Sequence, residues 1–165
     1  IAIAEHYGPV YLRFGRPSWP IVIPESMPFV IGKGIMMQEG SDVTIVATGH
    51  LVAFAMEAVT TLQQQGISAE LINIHTIKPL DEEIILDSIS KTKCIVTAEE
   101  HQRHGGLGDS VAQLLARRQP TPQEYVAVND SFGESGTPDQ LLLKYGLGPN
   151  DIVKAAGEVL KRKKA

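Results

Sequence analysis

Glu99, Glu100, His101 and His104 form the densest group of ionisable side chains in the chain, and they run directly into Gly105-Gly106-Leu107-Gly108. Carboxylates and imidazoles can exchange protons or bind metal, and glycines opening a helix can bring backbone amides onto a phosphate. The spacing narrows these chemistries. A metal needs three or four convergent ligands, whereas consecutive Glu-Glu-His side chains on a strand point to alternating faces. The glycines match neither the dinucleotide pattern GxGxxG nor the phosphate loop GxxxxGK[ST]. Acid–base work rests on position alone, at the C-terminal end of a strand where α/β folds place their sites. The favoured reading is a tight turn against the sheet or a partner. Glu99, Glu100, His101, His104, Gly105 and Gly106 are therefore candidate interface residues.

Arg13 and Arg16 lie either side of Gly15. A guanidinium offers two parallel hydrogen bonds to a phosphate or carboxylate, and a structural ion pair explains it equally well. His50 sits where a strand turns into a helix, so it is either a ligand contact or a polar residue at the helix opening. Ser135 is in a glycine-rich loop without the nucleophile elbow Gly-x-Ser-x-Gly. Cys94 is the single cysteine and lies in an apolar run, which suits a small buried side chain better than a reactive thiol.

These residues need a scaffold, and the chain reads as one from about Lys33 onward. Strands are expected at 35–38, 43–48, 69–75, 94–98 and 125–128. Helices are expected at 51–65, 79–90, 106–118, 138–145 and from 150 or 151 to about 163. Pro79 and Pro138 are expected in first turns, the latter after a Thr137 cap. Alternating strands and helices imply a mostly parallel five-stranded sheet covered on both faces, an α/β/α arrangement. The first strand should run antiparallel because a tight turn at 39–42 joins it to the second. Before this unit, residues 1–6 read as the tail of a helix and Val10–Phe14 as a strand. Four prolines at 17, 20, 24 and 28 make a stiff linker.

The net charge of -4 and the lack of a basic stripe argue against nucleic-acid binding. The basic run Lys161-Arg162-Lys163-Lys164 suits a solvated helix end. No apolar run is long enough for a membrane helix and no secretory signal is visible, so cytoplasm is the expected location.

An ordered set of short motifs carries a resemblance. Val43-Thr44-Ile45-Val46-Ala47-Thr48-Gly49, Thr76-Ile77-Lys78-Pro79-Leu80-Asp81, Ile85-Leu86-Asp87-Ser88, Thr97-Ala98-Glu99-Glu100-His101, Gly105-Gly106-Leu107-Gly108 and Ser135-Gly136-Thr137-Pro138 occur in that order. From Gly32 to the end, this resembles the C-terminal domain of the transketolase family. The resemblance implies a three-layer α/β/α fold with a five-stranded mixed sheet. It also implies a division into 1–16, the end of a pyrimidine-binding domain; 17–31, a proline-rich linker; and 32–165, the C-terminal domain.

By the same resemblance the complete enzyme would use thiamine diphosphate and Mg2+ to move a two-carbon ketol unit between phosphorylated sugars, as in the pentose phosphate pathway. Its cofactor supplies the chemistry and the protein supplies orientation. The family's Gly-Asp-Gly metal site and activating glutamate are not in these residues, so this segment alone is expected to bind no cofactor and to be inactive. Its partners would be the N-terminal thiamine-binding regions, on the same chain or a separate subunit, in a homodimer or higher assembly. In transketolases an arginine at the place of Arg16 contacts substrate phosphate, which makes Arg16 the expected phosphate ligand. The resemblance also extends to 1-deoxy-xylulose-5-phosphate synthases and, less closely around Arg16, to 2-oxo acid dehydrogenase beta subunits. A non-catalytic interaction module with the same fold is the remaining alternative.

Overall fold

The computed structural model of the protein describes residues 1–15 and 18–163. Ten elements follow a single 3-10 turn at Ala2–Ala4: β1 (Ile35–Gln38), β2 (Val43–Ala47), α1 (Leu51–Gln64), β3 (Ala69–Asn73), α2 (Glu82–Thr92), β4 (Ile95–Gln102), α3 (Leu107–Arg118), β5 (Gln123–Val128), α4 (Pro138–Lys144) and α5 (Pro149–Lys163). The sheet order is β1-β3-β2-β4-β5. β2, β3, β4 and β5 are parallel, and β1 is antiparallel. The expected mixed five-stranded sheet is present.

The direction of β1 is as expected, but the reason is different. β1 pairs with β3, Ile35 opposite Asn73 and Met36 opposite Ile72, so the turn at 39–42 is no hairpin. The chain instead steps over β3 to start β2. Gly40 permits that step, because a Cβ there would come within 2.6 Å of the Ala69 carbonyl oxygen. Asp42 then ties the crossing down by accepting the Ser68 N–H at 2.7 Å.

All five residues of β2 and of β3 are buried, as strands covered on both faces should be. One face packs on α1 and α5 through Ile45, Leu51, Leu62, Leu71, Ile152 and Val159. The other packs on α2 and α3 through Val46, Ile72, Ile85, Ile89, Leu107 and Leu114. Each such side chain stabilises the fold by about 1.5–3 kcal/mol relative to exposure. Tyr7, Tyr11, Phe14 and Ile21 are exposed, whereas Trp19 and Val22 pack against the face covered by α1 and α5.

Two expectations are corrected in that leading segment. The helix tail at 1–6 is only the 3-10 turn, and Val10–Phe14 is not a strand. A strand needs a neighbour for its backbone hydrogen bonds, and the sheet does not include these residues.

Helix α2 is corrected as well. It begins at Glu82 with Asp81 as its cap residue, and Pro79 lies in the preceding loop after a cis Lys78-Pro79 bond. The Asp81 carboxylate turns away from its own helix. It accepts the Gly34 N–H at 2.9 Å and lies 3.5 Å from the Lys33 ammonium. Thr76 Oγ1 accepts the Gly32 N–H at 3.2 Å. The Thr76–Asp81 motif thus fastens the end of the linker to the domain. At α4 Thr137 takes the cap position and Pro138 the first turn, as expected, and Gln140 Oε1 accepts the Thr137 N–H at 3.2 Å to complete a capping box.

Candidate functional site

The crossovers on either side of the β2–β4 pair lie on opposite faces of the sheet: α1 leads from β2 to β3 on one, and α3 leads from β4 to β5 on the other. Such a reversal leaves a crevice at the C-terminal ends of the two strands, the place where open α/β sheets bind ligands. His50 follows β2 there, and Glu100 sits late in β4. β4 runs four residues beyond its expected end, to Gln102, so the acidic pair lies within the strand.

Consecutive strand side chains diverge here as the sequence requires. Glu99, 2% exposed, turns to α3. Its Oε2 accepts the Leu107 N–H at 2.7 Å and its Oε1 accepts the Gly108 N–H at 2.8 Å. These are free donors of a helix N-terminus, where a negative charge is also favoured by the helix dipole. The carboxylate therefore takes the position that a phosphate would need. Gly106 makes the approach possible, since a Cβ on it would stand 2.7 Å from the Glu99 carboxyl carbon. Gly108 is packed equally closely, with Tyr125 Cδ1 2.5 Å from a built Cβ. Glu99 and Gly106 are thus corrected from interface candidates to interior parts of one helix cap. His101, His104 and Gly105 are exposed, and Glu100 is half-buried.

Glu100 points the other way, with Oε2 2.5 Å from His50 Nδ1. His50 occupies the cap position of α1 but makes no side-chain cap bond; its ring faces Glu100 instead. The ring stacks on Trp19, with centroids 4.4 Å apart and planes 19° apart. Trp19 Nε1–H donates to the His50 carbonyl at 3.1 Å, and the indole meets Phe54 edge-on at 5.5 Å. Gly15 lies against the Cε1–Nε2 side of the ring, and a Cβ there would be 2.5 Å from Nε2. Arg13 donates to the Glu100 carbonyl at 3.4 Å. The arginine-bearing arm, the linker tryptophan, the start of α1 and the end of β4 therefore meet at one point. Arg16 lies outside the described residues.

Sequence reasoning placed His50 and Glu100 separately and did not join them. Fifty residues separate them, and only the strand order brings them together. Trp19 was passed over as part of a proline-rich stretch. A lone tryptophan among prolines was the available signal, since such a large apolar surface is rarely left uncovered.

The α3 N-terminus is filled by Glu99, and among the described residues no group of three or more His, Cys, Asp or Glu could hold a metal ion. Cys94 is buried, and burial pushes its thiol above the usual value, which removes it as a nucleophile at neutral pH. Among the described residues no helix is long and apolar enough to cross a membrane.

Residues 32–152 match the family described as "Transketolase, C-terminal domain". The chain belongs to the transketolase family. The 6-deoxy-6-sulfo-D-fructose transketolase subunit SqwH of a Clostridium species is 47% identical over 98% of this chain and 50% of its own length. A putative transketolase C-terminal section from Methanocaldococcus jannaschii is 42% identical over 97% of this chain and 51% of its own. A 1-deoxy-D-xylulose-5-phosphate synthase from Heliobacterium modesticaldum is 36% identical over 94% of this chain but 24% of its own. Among solved structures, one described as "Split gene transketolase, inactive beta4 tetramer" superposes with a TM-score of 0.95 at 45% identity, over 98% of this chain and 55% of that one. The chain spans about half the length of the first two relatives. It carries the transketolase C-terminal fold, and the arm of residues 1–31 lies ahead of the family match.

Proposed function

We propose that this chain is the C-terminal portion of a transketolase that moves a two-carbon ketol unit between sugars carrying a terminal anion. The observation that carries this reading is the match along nearly the whole chain to a subunit named as a sulfofructose transketolase and to a transketolase C-terminal section. The cofactor, when bound to the complete enzyme, supplies the bond-making chemistry. This chain orients substrate and supports assembly.

Residues 1–16 end a preceding pyrimidine-binding domain, 17–31 are the linker, and 32–165 are the C-terminal domain. The exposed Tyr7, Tyr11, Leu12 and Phe14 support that division, because apolar surface of this extent fits a covering domain. The N-terminal thiamine-binding regions are that cover, and the assembly is a homodimer or larger. Glu100, His101, His104 and Gly105 form the part of the β4–α3 segment offered to a partner.

Arg16 binds the terminal anion of the substrate. Relatives are named for 6-deoxy-6-sulfo-D-fructose, apulose-4-phosphate and 1-deoxy-D-xylulose-5-phosphate, and each name includes a sulfonate or phosphate. A phosphorylated sugar is the favoured substrate, with a pathway wider than pentose phosphate metabolism alone. The test is Arg16→Ala in the complete enzyme. KM for ribose 5-phosphate should rise on the order of a hundredfold, since a charge-assisted bidentate contact is worth about 1.5–3 kcal/mol, while KM for ribose rises far less. Equal changes with both acceptors would remove Arg16 from the phosphate site.

A further inference from the structure

The connection from β5 to α4 leaves the sheet at the C-terminal strand ends, the edge that also carries the arm. Every residue from 129 to 140 is exposed, and Phe132 is 97% exposed. Exposed connections are usually the mobile part of a fold, yet this one is tied on both sides of the phenylalanine. Gln102 Nε2–H donates to the Ser131 carbonyl at 2.8 Å, and the Tyr145 hydroxyl donates to the Phe132 carbonyl at 3.0 Å. Arg103 donates to Asn129 Oδ1 at 2.7 Å, and Lys144 pairs with Glu134. These ties hold the backbone while the aromatic ring stands in solvent. Fixing an exposed ring gives the domain itself no apolar burial, but it lowers the ordering cost of docking onto another surface.

We propose that Phe132 is an anchor for the pyrimidine-binding domain that the arm joins, inserting into an apolar socket with a basic rim on that domain. The inference rests on the proposed reading of the arm as the end of that domain, and it names a second point of contact. Two observations select this occupant. The first is position. Arg13 of the arm donates to the Glu100 carbonyl, and Gln102, two residues further along β4, holds Ser131. A body seated on the exposed Tyr7, Tyr11 and Phe14 of the arm therefore also reaches Phe132. The second is charge. Residues 129–140 include Asp130, Glu134 and Asp139 and no basic side chain. A basic rim complements this loop, whereas the same loop of a second copy would bring like charges together.

The experiment places the photo-crosslinker p-benzoylphenylalanine at position 132 in the complete enzyme and maps the crosslinked peptide by mass spectrometry. The substitution keeps an exposed aromatic ring and leaves the core untouched. The expected crosslink falls in the pyrimidine-binding domain ahead of the arm, at an apolar site flanked by Lys or Arg. In Phe132→Ala, amide hydrogen exchange across residues 7–14 should speed up on the order of tenfold, as for loss of an interface hot spot. A crosslink to residues 1–165 of a second copy, or to any other body, overturns the proposal. So does the absence of a crosslink, or unchanged exchange in Phe132→Ala. Ketol transfer from xylulose 5-phosphate to ribose 5-phosphate by wild type is measured alongside. No transfer with the expected crosslink removes the proposed reaction and leaves the docking contact; transfer without the crosslink does the reverse.

Discussion

The buried Glu99 carboxylate reaches the Leu107 amide at 2.7 Å, closing the N-terminus of α3 from inside the sheet. This bond, with its companion to Gly108, explains why the glycine run lies where it does and why the loop is a structural turn. Replacing Glu99 with Ala leaves helix amides buried without acceptors. Urea denaturation should show a loss of about 1.5–3 kcal/mol per charged hydrogen bond removed. Gly106→Ala should destabilise by about 1–3 kcal/mol through overlap with the same carboxylate. Wild-type midpoints in both variants would contradict the cap.

At the opposite end of the sheet, Glu70 is a buried acid under Lys91, with Oε2 2.6 Å from the ammonium. Burial pushes the Glu70 carboxyl up, but hydrogen bonds from Lys91, Ser88 and the Gly40 N–H together outweigh it and hold the group below its usual 4.5. A depressed carboxylate contributes stability above 4.5 that is lost as pH falls through its folded value. With Lys91→Met the burial effect is left less opposed. The loss of urea stability between pH 7 and pH 3 should then be smaller than in wild type, from a lower start at pH 7. Parallel pH curves for the two proteins would show that Lys91 does not control Glu70.

His75 gives a second pH effect, located where the linker joins the domain. Its ring lies 4.2 Å from Phe29, its Nδ1 is 2.9 Å from Thr76 Oγ1, and its Nε2 is buried without a partner. Burial holds this histidine below its usual 6.5. The neutral ring is favoured in the fold, so the stability it contributes is present above 6.5 and is lost as pH falls below that value. By NMR, the His75 ring should titrate below 6.5 in wild type, and Phe29→Ala should move it upward as water gains access. A wild-type titration at or above 6.5 would contradict the burial.

The sequence made the layered fold legible because β2 and β3 are covered on both faces and α1 keeps one apolar stripe. It did not reveal that β1 pairs with β3, since turn residues at 39–42 serve a crossing as well as a hairpin. It placed the start of α2 at Pro79 because proline suits a first turn. That expectation failed because Thr76 and Asp81 bind the backbone of Gly32 and Gly34, contacts distant in sequence. The strand expected at Val10–Phe14 failed for the converse reason, as alternating apolar residues form a strand only where another strand accepts their hydrogen bonds. At the site, the divergence of Glu99 and Glu100 followed directly from strand geometry. The His50–Glu100 junction did not, because it depends on the strand order.

The most direct measurement of the central claim is the donor requirement of the complete enzyme containing this chain. Xylulose 5-phosphate and ribose 5-phosphate together should give a seven-carbon ketose phosphate and glyceraldehyde 3-phosphate, with no need for pyruvate or a branched 2-oxo acid. Product formation only with pyruvate and glyceraldehyde 3-phosphate, or only with a branched 2-oxo acid, would contradict ketol transfer and assign the chain to another thiamine diphosphate reaction.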